Sequence, residues 1–480
     1  MGNRRLCVLL ITGALMTGCS FAPTYHPPTI AVPPNFKEGG TWQPAAPADR
    51  INRDGWWKVF RDPTLDQLEA HLNHANPTIT IALARHDEAA ADLSEIGANR
   101  FPTLQLGVDG TRNRAFSAQP QRNGNQVSTY STDTTGMSLN YDLDLWGQVR
   151  NAVQAGKDAL QAETDDLAAV RLSMQASLAE AYFRLREFDS ERRLLSQTID
   201  TAQRAAALTQ NRHAGGIASG LDVSRAQTQL DSLQAKAQDI VARRALIEHA
   251  IATLVGVPPA SFTLAPAVTR TYLPAIPTGL PTTLLQRRPD VAAAERRVAQ
   301  ANAQIGVASA AFFPDVTIGL AGGFQSDALI PWMTAPNAIW AIGPQLMMNL
   351  FDGGQRRAVT QAMRAKLAEN GARYKVIALQ AFQQVEDNLA RLHHLGDEAA
   401  DEDKALAAAH HTLDLAMSRY RDGVVSYLEV VTAQTTELDT DIAAQKLEMR
   451  RLCACTQLIE ALGGGWTQIQ VDSIHASASG

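Results

Sequence analysis

The chain has 480 residues, of which 45% are hydrophobic and 19% are charged, and its formal net charge is -6. This mild acidity provides no basic surface for nucleic acid, so a nucleic-acid partner is not expected. It does not exclude a membrane pore, because a membrane barrel can be polar inside and apolar outside.

The N-terminus has the pattern of a secretion signal that ends at a lipid-attachment cysteine. Two arginines precede the apolar run Leu6 to Met16, which is too short to span a membrane as a helix. Small residues then precede Cys19, as in the lipobox of bacterial lipoproteins. We predict a signal peptide over 1–18 and acylation of Cys19; an ordinary cleaved signal is the alternative. The proline-rich stretch 19–50 predicts an extended tether.

Two other cysteines, Cys453 and Cys455, lie on a predicted helix. Residues two apart on a helix point about 200° apart, so these thiols cannot easily pair with each other. No matching set of Cys and His completes a metal site around them. The sequence therefore predicts two buried, free thiols.

The organised part of the chain repeats itself at a period of roughly 200 residues, too long for a solenoid repeat. The clearest pair is RHAGGIASGLDVSRAQ at 212–227 and RYRDGVVSYLEVVTAQ at 419–434. Each copy is predicted to be a domain-sized half. The expected divisions are repeat 1 at 51–256, a connection at 257–283, repeat 2 at 284–465 and a tail at 466–480.

Each half contains two stretches in which apolar and polar residues alternate, as Leu104, Leu106 and Val108 do. Period two over about ten residues is typical of membrane-barrel strands, although a half-buried sheet of a soluble domain is the alternative. About eight strands are needed to close a barrel, and open edges in lipid would leave backbone groups unpaired. The pattern therefore predicts a homo-oligomer that shares one barrel. The predicted strands are 103–115, 134–146, 315–326 and 338–351.

Long helices follow each pair of strands. Lys157 to Ala214 contains no Gly or Pro, and apolar or small residues recur at every seventh position. That repeat is typical of helices packed side by side in a coiled coil. Helical hairpins are predicted at 148–256 and 354–463, turning at Gly215–Gly216 and at Gly423.

These features together resemble the TolC-like outer membrane efflux factor family, specifically its OprM/NodT-like lipoprotein branch. The resemblance covers nearly the whole chain in the right order. Its motifs, besides Cys19 and the proline tether, are Trp56-Trp57, Asp62-Pro63-Thr64-Leu65, Tyr141 to Trp146, Leu284 to Asp290, Ala310 to Pro314, Leu350 to Gly354 and Ala461 to Trp466.

The resemblance implies the fold class. The expected fold is an outer membrane β-barrel, with four strands per protomer and twelve in a trimer, above a long periplasmic α-helical coiled-coil barrel with a two-fold internal repeat. It also implies a function, as the outer membrane channel of a tripartite efflux pump that exports drugs or other small molecules. The implied partners are two further copies of the chain, a periplasmic adaptor (membrane fusion) protein, an inner-membrane RND pump and outer membrane lipid.

The resemblance further implies a periplasmic gate at the hairpin tips. Tyr420 and Asp222 match residues that hold the closed state through an interhelical hydrogen bond, and Arg421 matches the arginine that this branch uses there. We expect opening to require breaking the Tyr420 and Arg421 contacts to the neighbouring hairpin.

Three further positions belong to the implied gate. Leu428 matches the apolar constriction, and Glu429 matches the first of two acids that ring the pore. The second acidic position holds Thr432 in this sequence. A ring of Glu429 carboxylates would still attract cations, with less negative charge than two rings carry.

The sequence also allows two other functions. The chain could be an exit duct for type I protein secretion, or a periplasmic coiled-coil lipoprotein that never enters the membrane. No enzyme motif is found, so neither catalysis nor a cofactor is expected. The pairs His393-His394 and His410-His411 predict no metal site, because adjacent helical residues point about 100° apart.

Overall fold

A computed structural model describes residues 20–34, 36–38, 55–114, 129–268, 272–274, 276, 287–327 and 333–464. The predicted signal peptide 1–18, Cys19 and the predicted tail 466–480 lie outside the described residues.

Seven α-helices and four β-strands are formed within the described residues, together with short 3₁₀ segments. No helix in this part of the chain is both long and apolar enough to cross a membrane. The helices are α1 (Pro63–Ala75), α2 (Pro77–Ala98), α3 (Gln148–Ala214), α4 (Gly220–Leu254), α5 (Pro289–Ala310), α6 (Gln355–Arg421) and α7 (Tyr427–Ala461), and the strands are β1 (Thr103–Arg114), β2 (Thr129–Asp142), β3 (Asp315–Ser326) and β4 (Ala338–Met347).

The internal duplication is visible in the lengths of corresponding elements. Helices α2 and α5 have 22 residues each, and strands β1 and β3 have 12 each. Helices α3 and α6 have 67 residues each, and α4 and α7 have 35 each. The two-fold internal repeat expected from the sequence is therefore present in the fold.

Two strands end earlier than the sequence suggested. β2 runs from Thr129 to Asp142 rather than over 134–146, and β4 stops at Met347 rather than at 351. In both cases an aspartate beyond the strand turns the chain into the next helix. Asp144 has φ 42 and its carboxylate accepts the first backbone N–H groups of α3, while Asp352 does the same for α6. The apolar alternation continues past the last ladder hydrogen bond, so it could not mark these ends.

The four strands form one antiparallel sheet in the order β1-β2-β3-β4, with mainly apolar residues on one face and mainly polar or small residues on the other. Residues paired across strands point to the same face. One row of the apolar face is Leu104, Leu139, Leu320 and Ile342, and the adjacent row on the other face is Gln105, Ser138, Ala321 and Ala341.

The apolar face is exposed in a single chain. Leu106 is 70% exposed and Trp340 is 78% exposed, on the two outermost strands. Contiguous apolar surface of this kind marks a site that meets a membrane or another protein. Strands β1 and β4 are also the free edges of the sheet.

The described chain divides into two compact units, each built from both repeats. The first comprises the described residues of 1–29, 86–163 and 294–374 and contains the sheet. The second comprises those of 30–85, 164–293 and 375–480 and contains most of the two helical hairpins.

The hairpins of the second unit pack through buried residues spaced seven apart. Leu195 and Ala202 of α3 meet Leu233 and Ile240 of α4 in one cluster, which Leu438 of α7 completes. This spacing is that of the coiled-coil seam predicted for α3. Cys453 and Cys455 are buried and free, as predicted, and burial raises the pKa of each thiol to about 12.

Gly256 closes the first hairpin against α1 and gives a stability prediction. It has φ +76, and a Cβ there would lie 2.1 Å from the carbonyl oxygen of Ala75. We expect Gly256→Ala to lower the free energy of unfolding by roughly 2–5 kcal/mol, from backbone strain and overpacking together. Denaturant unfolding followed by circular dichroism measures this.

The matched control is Gly216→Ala. Gly216 has φ +74 with nothing within 4 Å of the added Cβ, so this variant carries the backbone strain alone. Equal losses in the two variants would contradict the close approach of Ala75.

Candidate functional site: the hairpin tips

Each helical hairpin turns at a glycine in the left-handed region. Gly216 follows α3 with φ +74, and Gly423 follows α6 with φ +75. Glycine adopts this conformation without the penalty that a Cβ brings, so it ends a helix readily. The two tips hold all six residues implied for the gate.

Asp222 helps to cap the N-terminus of α4. Its carboxylate accepts hydrogen bonds from the Ser219 backbone N–H at 3.3 Å and from the Ser219 hydroxyl at 2.8 Å, and its own backbone N–H donates to Ser219 Oγ at 3.2 Å. This reciprocal arrangement is a capping box, which satisfies backbone donors at a helix N-terminus. Arg225 lies 3.9 Å from the same carboxylate. The bonds of Asp222 therefore stay within its own hairpin.

Tyr420 bonds to Thr209 instead of Asp222. The Tyr420 side chain is buried, and its hydroxyl lies 3.0 Å from Thr209 Oγ1. The Thr209 hydroxyl donates its only proton to the Ala205 carbonyl at 2.9 Å, so Tyr420 is the donor to Thr209. The hydroxyl of Tyr420 therefore links α6 to α3, and its partner is not the Asp222 of α4 that the resemblance implied.

Arg212 was not among the expected gate residues, yet it makes most of the polar contacts between the two tips. Its Nη1 donates to the Tyr420 carbonyl at 2.8 Å and its Nη2 to the Arg421 carbonyl at 2.8 Å. The guanidinium also lies over the Tyr420 ring, 4.7 Å from its centroid. These carbonyls are at the negative end of the α6 dipole, where a cation is stabilised.

A signal for Arg212 existed in the sequence. It opens the repeated segment and recurs as Arg419 in the second copy. The two arginines nevertheless act differently: Arg212 reaches the other hairpin, whereas Arg419 lies 3.8 Å from Glu429 of its own hairpin. Since both groups of that second pair are more than half exposed, the pair contributes little.

An apolar cluster supports these polar contacts. Tyr420 packs edge-on against Tyr427 with the ring centroids 5.4 Å apart, and Ala205, Ala226 and Val430 complete the cluster. Tyr427 is fully buried, and burial raises the pKa of its hydroxyl to about 12. The base of the tips is therefore a packed, uncharged layer.

The remaining gate candidates lie on the exposed side of the second tip. Leu428 is 46% exposed, and Glu429 and Thr432 are exposed beside it, with the Thr432 hydroxyl donating to the Leu428 carbonyl at 2.9 Å. Arg421 is also exposed, and within the described residues its side chain has no hydrogen bond or ion pair. These four side chains are free to meet another molecule.

The segment just after Cys19 packs onto the first unit. Phe21 stacks on Phe313 with ring centroids 4.3 Å apart, and Trp146 also stacks on Phe313, with centroids 4.9 Å apart. Ser20 donates to Asn151 Oδ1 at 3.0 Å. The start of the predicted tether is thus fixed beside the residues that end β2 and precede β3.

Two groups of potential metal ligands occur on α6 and α7, where none was expected. They are His393, His394 and Asp397, and His410, Glu437 and Asp441. The expectation considered only neighbours along one helix. The first group also includes Asp397, one helical turn from His393, and the second combines residues of two facing helices.

Comparison with known proteins agrees with this architecture. The model of the family described as outer membrane efflux protein matches twice, at residues 70–257 and 280–464, once in each half. The pyoverdine export outer membrane protein OpmQ of Pseudomonas putida is 30% identical over 483 residues, which cover 98% of this chain and 98% of that protein.

Solved structures show the same fold. The outer-membrane channel OprN superposes with a TM-score of 0.85 at 27% identity, covering 93% of this chain and 100% of that one. The open state of the Neisseria gonorrhoeae MtrE outer membrane channel gives a TM-score of 0.81 at 26% identity, covering 93% and 98%. The chain therefore belongs to the outer membrane efflux protein family and is the outer membrane component of an efflux pump.

Proposed function

We propose that three copies of this chain join at their open sheet edges into one outer membrane channel for small molecules, and that the hairpin tips close it at the periplasmic end. A periplasmic adaptor and an inner-membrane RND pump deliver the cargo. The chain itself carries no motif for nucleotide hydrolysis, so the energy for export comes from that pump.

The observation that carries this proposal is the sheet. Its apolar face suits lipid, its polar face suits a water-filled lumen, and β1 and β4 each offer an unpaired edge. Edge strands pair readily with another chain, and backbone groups in lipid must be paired. A periplasmic coiled-coil lipoprotein outside the membrane would have no use for so much exposed apolar surface.

The gate proposal rests on the contacts between the tips. Arg212, Tyr420 and Thr209 hold the two hairpins of one protomer together, and Arg421, Leu428 and Glu429 project from them. In a trimer these projecting groups would meet near the axis. Leu428 then narrows the opening, and Glu429 gives it a negative charge. Thr432 is uncharged and the Asp222 carboxylate is bonded to Ser219, so neither residue forms a second ring of free acids.

The proposal is tested with the purified full-length protein. In planar bilayers we expect small, mostly closed conductance, and on gels an unheated trimer band that disappears on boiling. Deletion of the gene should cause hypersensitivity to a set of antibiotics or dyes, which would identify the cargo class. A monomer that forms no conducting channel would refute the proposal.

We further propose that Cys19 is acylated. Phe21, Trp146 and Phe313 form an aromatic group at one end of the sheet, and aromatic residues favour the membrane–water boundary. An acyl chain two residues before Phe21 would enter lipid there.

We expect Cys19→Ala to abolish incorporation of radiolabelled palmitate. Cys453→Ala is the matched control, since that thiol is buried and protonated, and its labelling should stay normal. Labelling that persists in Cys19→Ala would exclude this anchor.

A further inference from the structure

His410, Glu437 and Asp441 bring potential metal ligands together between α6 and α7, about 15 Å along α6 from Tyr420. The Nε2 atom of His410 lies 3.3 Å from Asp441 Oδ2 and 3.8 Å from Glu437 Oε1. All three ligand atoms lie within 4.8 Å of one another. None of these residues belongs to the gate contacts described above.

The hairpin holds this arrangement in place. Arg391 Nη1 donates to Gln457 Oε1 at 3.0 Å, and Arg450 Nη1 donates to Glu398 Oε1 at 2.8 Å, so α6 and α7 run antiparallel in one register. Glu437 and Asp441 are four residues apart and therefore share a face of α7. That face is turned to His410 of α6.

The negative charge in the cluster is not neutralised by the rest of the described chain. Neither Glu437 nor Asp441 has a Lys or Arg within ion-pair distance among the described residues. Like charges four apart on a helix are destabilising, and a bound dication would reverse that effect.

We propose that His410, Glu437 and Asp441 form a site for a divalent transition-metal ion, best matched by Zn²⁺, that fastens α6 to α7. One imidazole nitrogen and two carboxylate oxygens are ligands that Zn²⁺ accepts, with water in the fourth position. Bonds of 2.0–2.2 Å place the donors of a tetrahedral site about 3.4 Å apart. The His410–Asp441 distance of 3.3 Å already meets this, whereas the Glu437 carboxylate, 3.8 Å from His410 and within 4.8 Å of Asp441, must move closer to bind the same ion.

The test uses the full-length protein in detergent, freed of metal with EDTA and then dialysed. Titration with ZnCl₂ should show one ion per protomer, and CoCl₂ should give the visible absorption of low-coordinate Co²⁺. Zinc should also slow amide hydrogen exchange in the facing parts of α6 and α7. His410→Ala should weaken zinc binding by at least about tenfold, because changes even in the surroundings of metal ligands cost that much.

His411→Ala is the matched control, since His411 is the exposed neighbour outside the cluster. His393→Ala tests the other ligand group, whose three members all lie on α6. Both variants should bind zinc like the parent. Absence of zinc binding, or binding that His393→Ala abolishes and His410→Ala leaves intact, would overturn the proposal. The trimer band on unheated gels checks folding of every variant.

Discussion

Arg212→Leu is expected to raise the single-channel conductance and open probability of the purified protein in planar bilayers. The substitution removes two hydrogen bonds from a charged donor, at 2.8 Å each, and a cation–π contact with Tyr420. Hydrogen bonds to charged groups contribute about 1.5–3 kcal/mol, and a half-buried pair lies at the lower end. We therefore expect the ratio of open to closed states to rise by at least about tenfold, because the loss of one such bond at the lower end of this range already corresponds to a factor of ten.

Tyr420→Phe should act in the same direction but more weakly. It removes one hydrogen bond between neutral groups, worth about 0.5–1.5 kcal/mol, so the ratio should rise roughly two- to tenfold. Arg204→Leu is the matched control on α3, because among the described residues the Arg204 side chain bonds only to Thr201 of the same helix. That variant should conduct like the parent.

Arg421→Ser separates contacts within a protomer from contacts between protomers. The Arg421 side chain has no partner among the described residues of its own chain, so an increase in conductance would point to a contact with another copy. If Arg212→Leu left conductance unchanged while Arg421→Ser raised it, the two hairpins of a protomer would move as one body. The gate would then lie between protomers.

The spacing of apolar residues along the chain predicted the strands and the packing of the long helices. Alternation located the strands because one face of the sheet carries rows of apolar residues, such as the row from Leu104 to Ile342. The seventh-residue repeat predicted the packing of Leu195 and Ala202 because coiled-coil contacts recur at that spacing. The ends of β2 and β4 depend instead on Asp144 and Asp352, whose capping role the alternation does not encode.

The polar contacts of the tips could not be read from the sequence. Thr209 and Tyr420 are 211 positions apart, and their meeting depends on the packing of two separate hairpins. The family resemblance paired Tyr420 with Asp222, whereas in the structure the Tyr420 hydroxyl bonds to Thr209 and the Asp222 carboxylate bonds to Ser219. Arg212 was marked by its repetition, but only the structure gives its carbonyl partners.

The membrane-facing role of the apolar sheet face predicts a large effect for Ile342→Arg. Ile342 lies in the middle of β4, is 65% exposed in a single chain, and pairs with Leu320. An arginine on the lipid face of a membrane strand costs about 2–4 kcal/mol near the bilayer midplane. In a trimer this penalty occurs three times, so we expect the unheated trimer band to be nearly absent from outer membranes, and drug resistance to be lost.

Ala341→Arg is the matched control for Ile342→Arg. It places the same side chain one residue earlier, on the opposite face, beside Ala321 of β3. If that face lines water, the guanidinium stays hydrated at little cost, the trimer assembles, and only conductance and ion selectivity change.

A sheet packed inside a soluble domain would give a different result. Ile342→Arg would then unfold the protein whether or not a membrane is present, and Ala341→Arg would have no effect on conductance. The pair of variants therefore tests which face meets lipid independently of the gate.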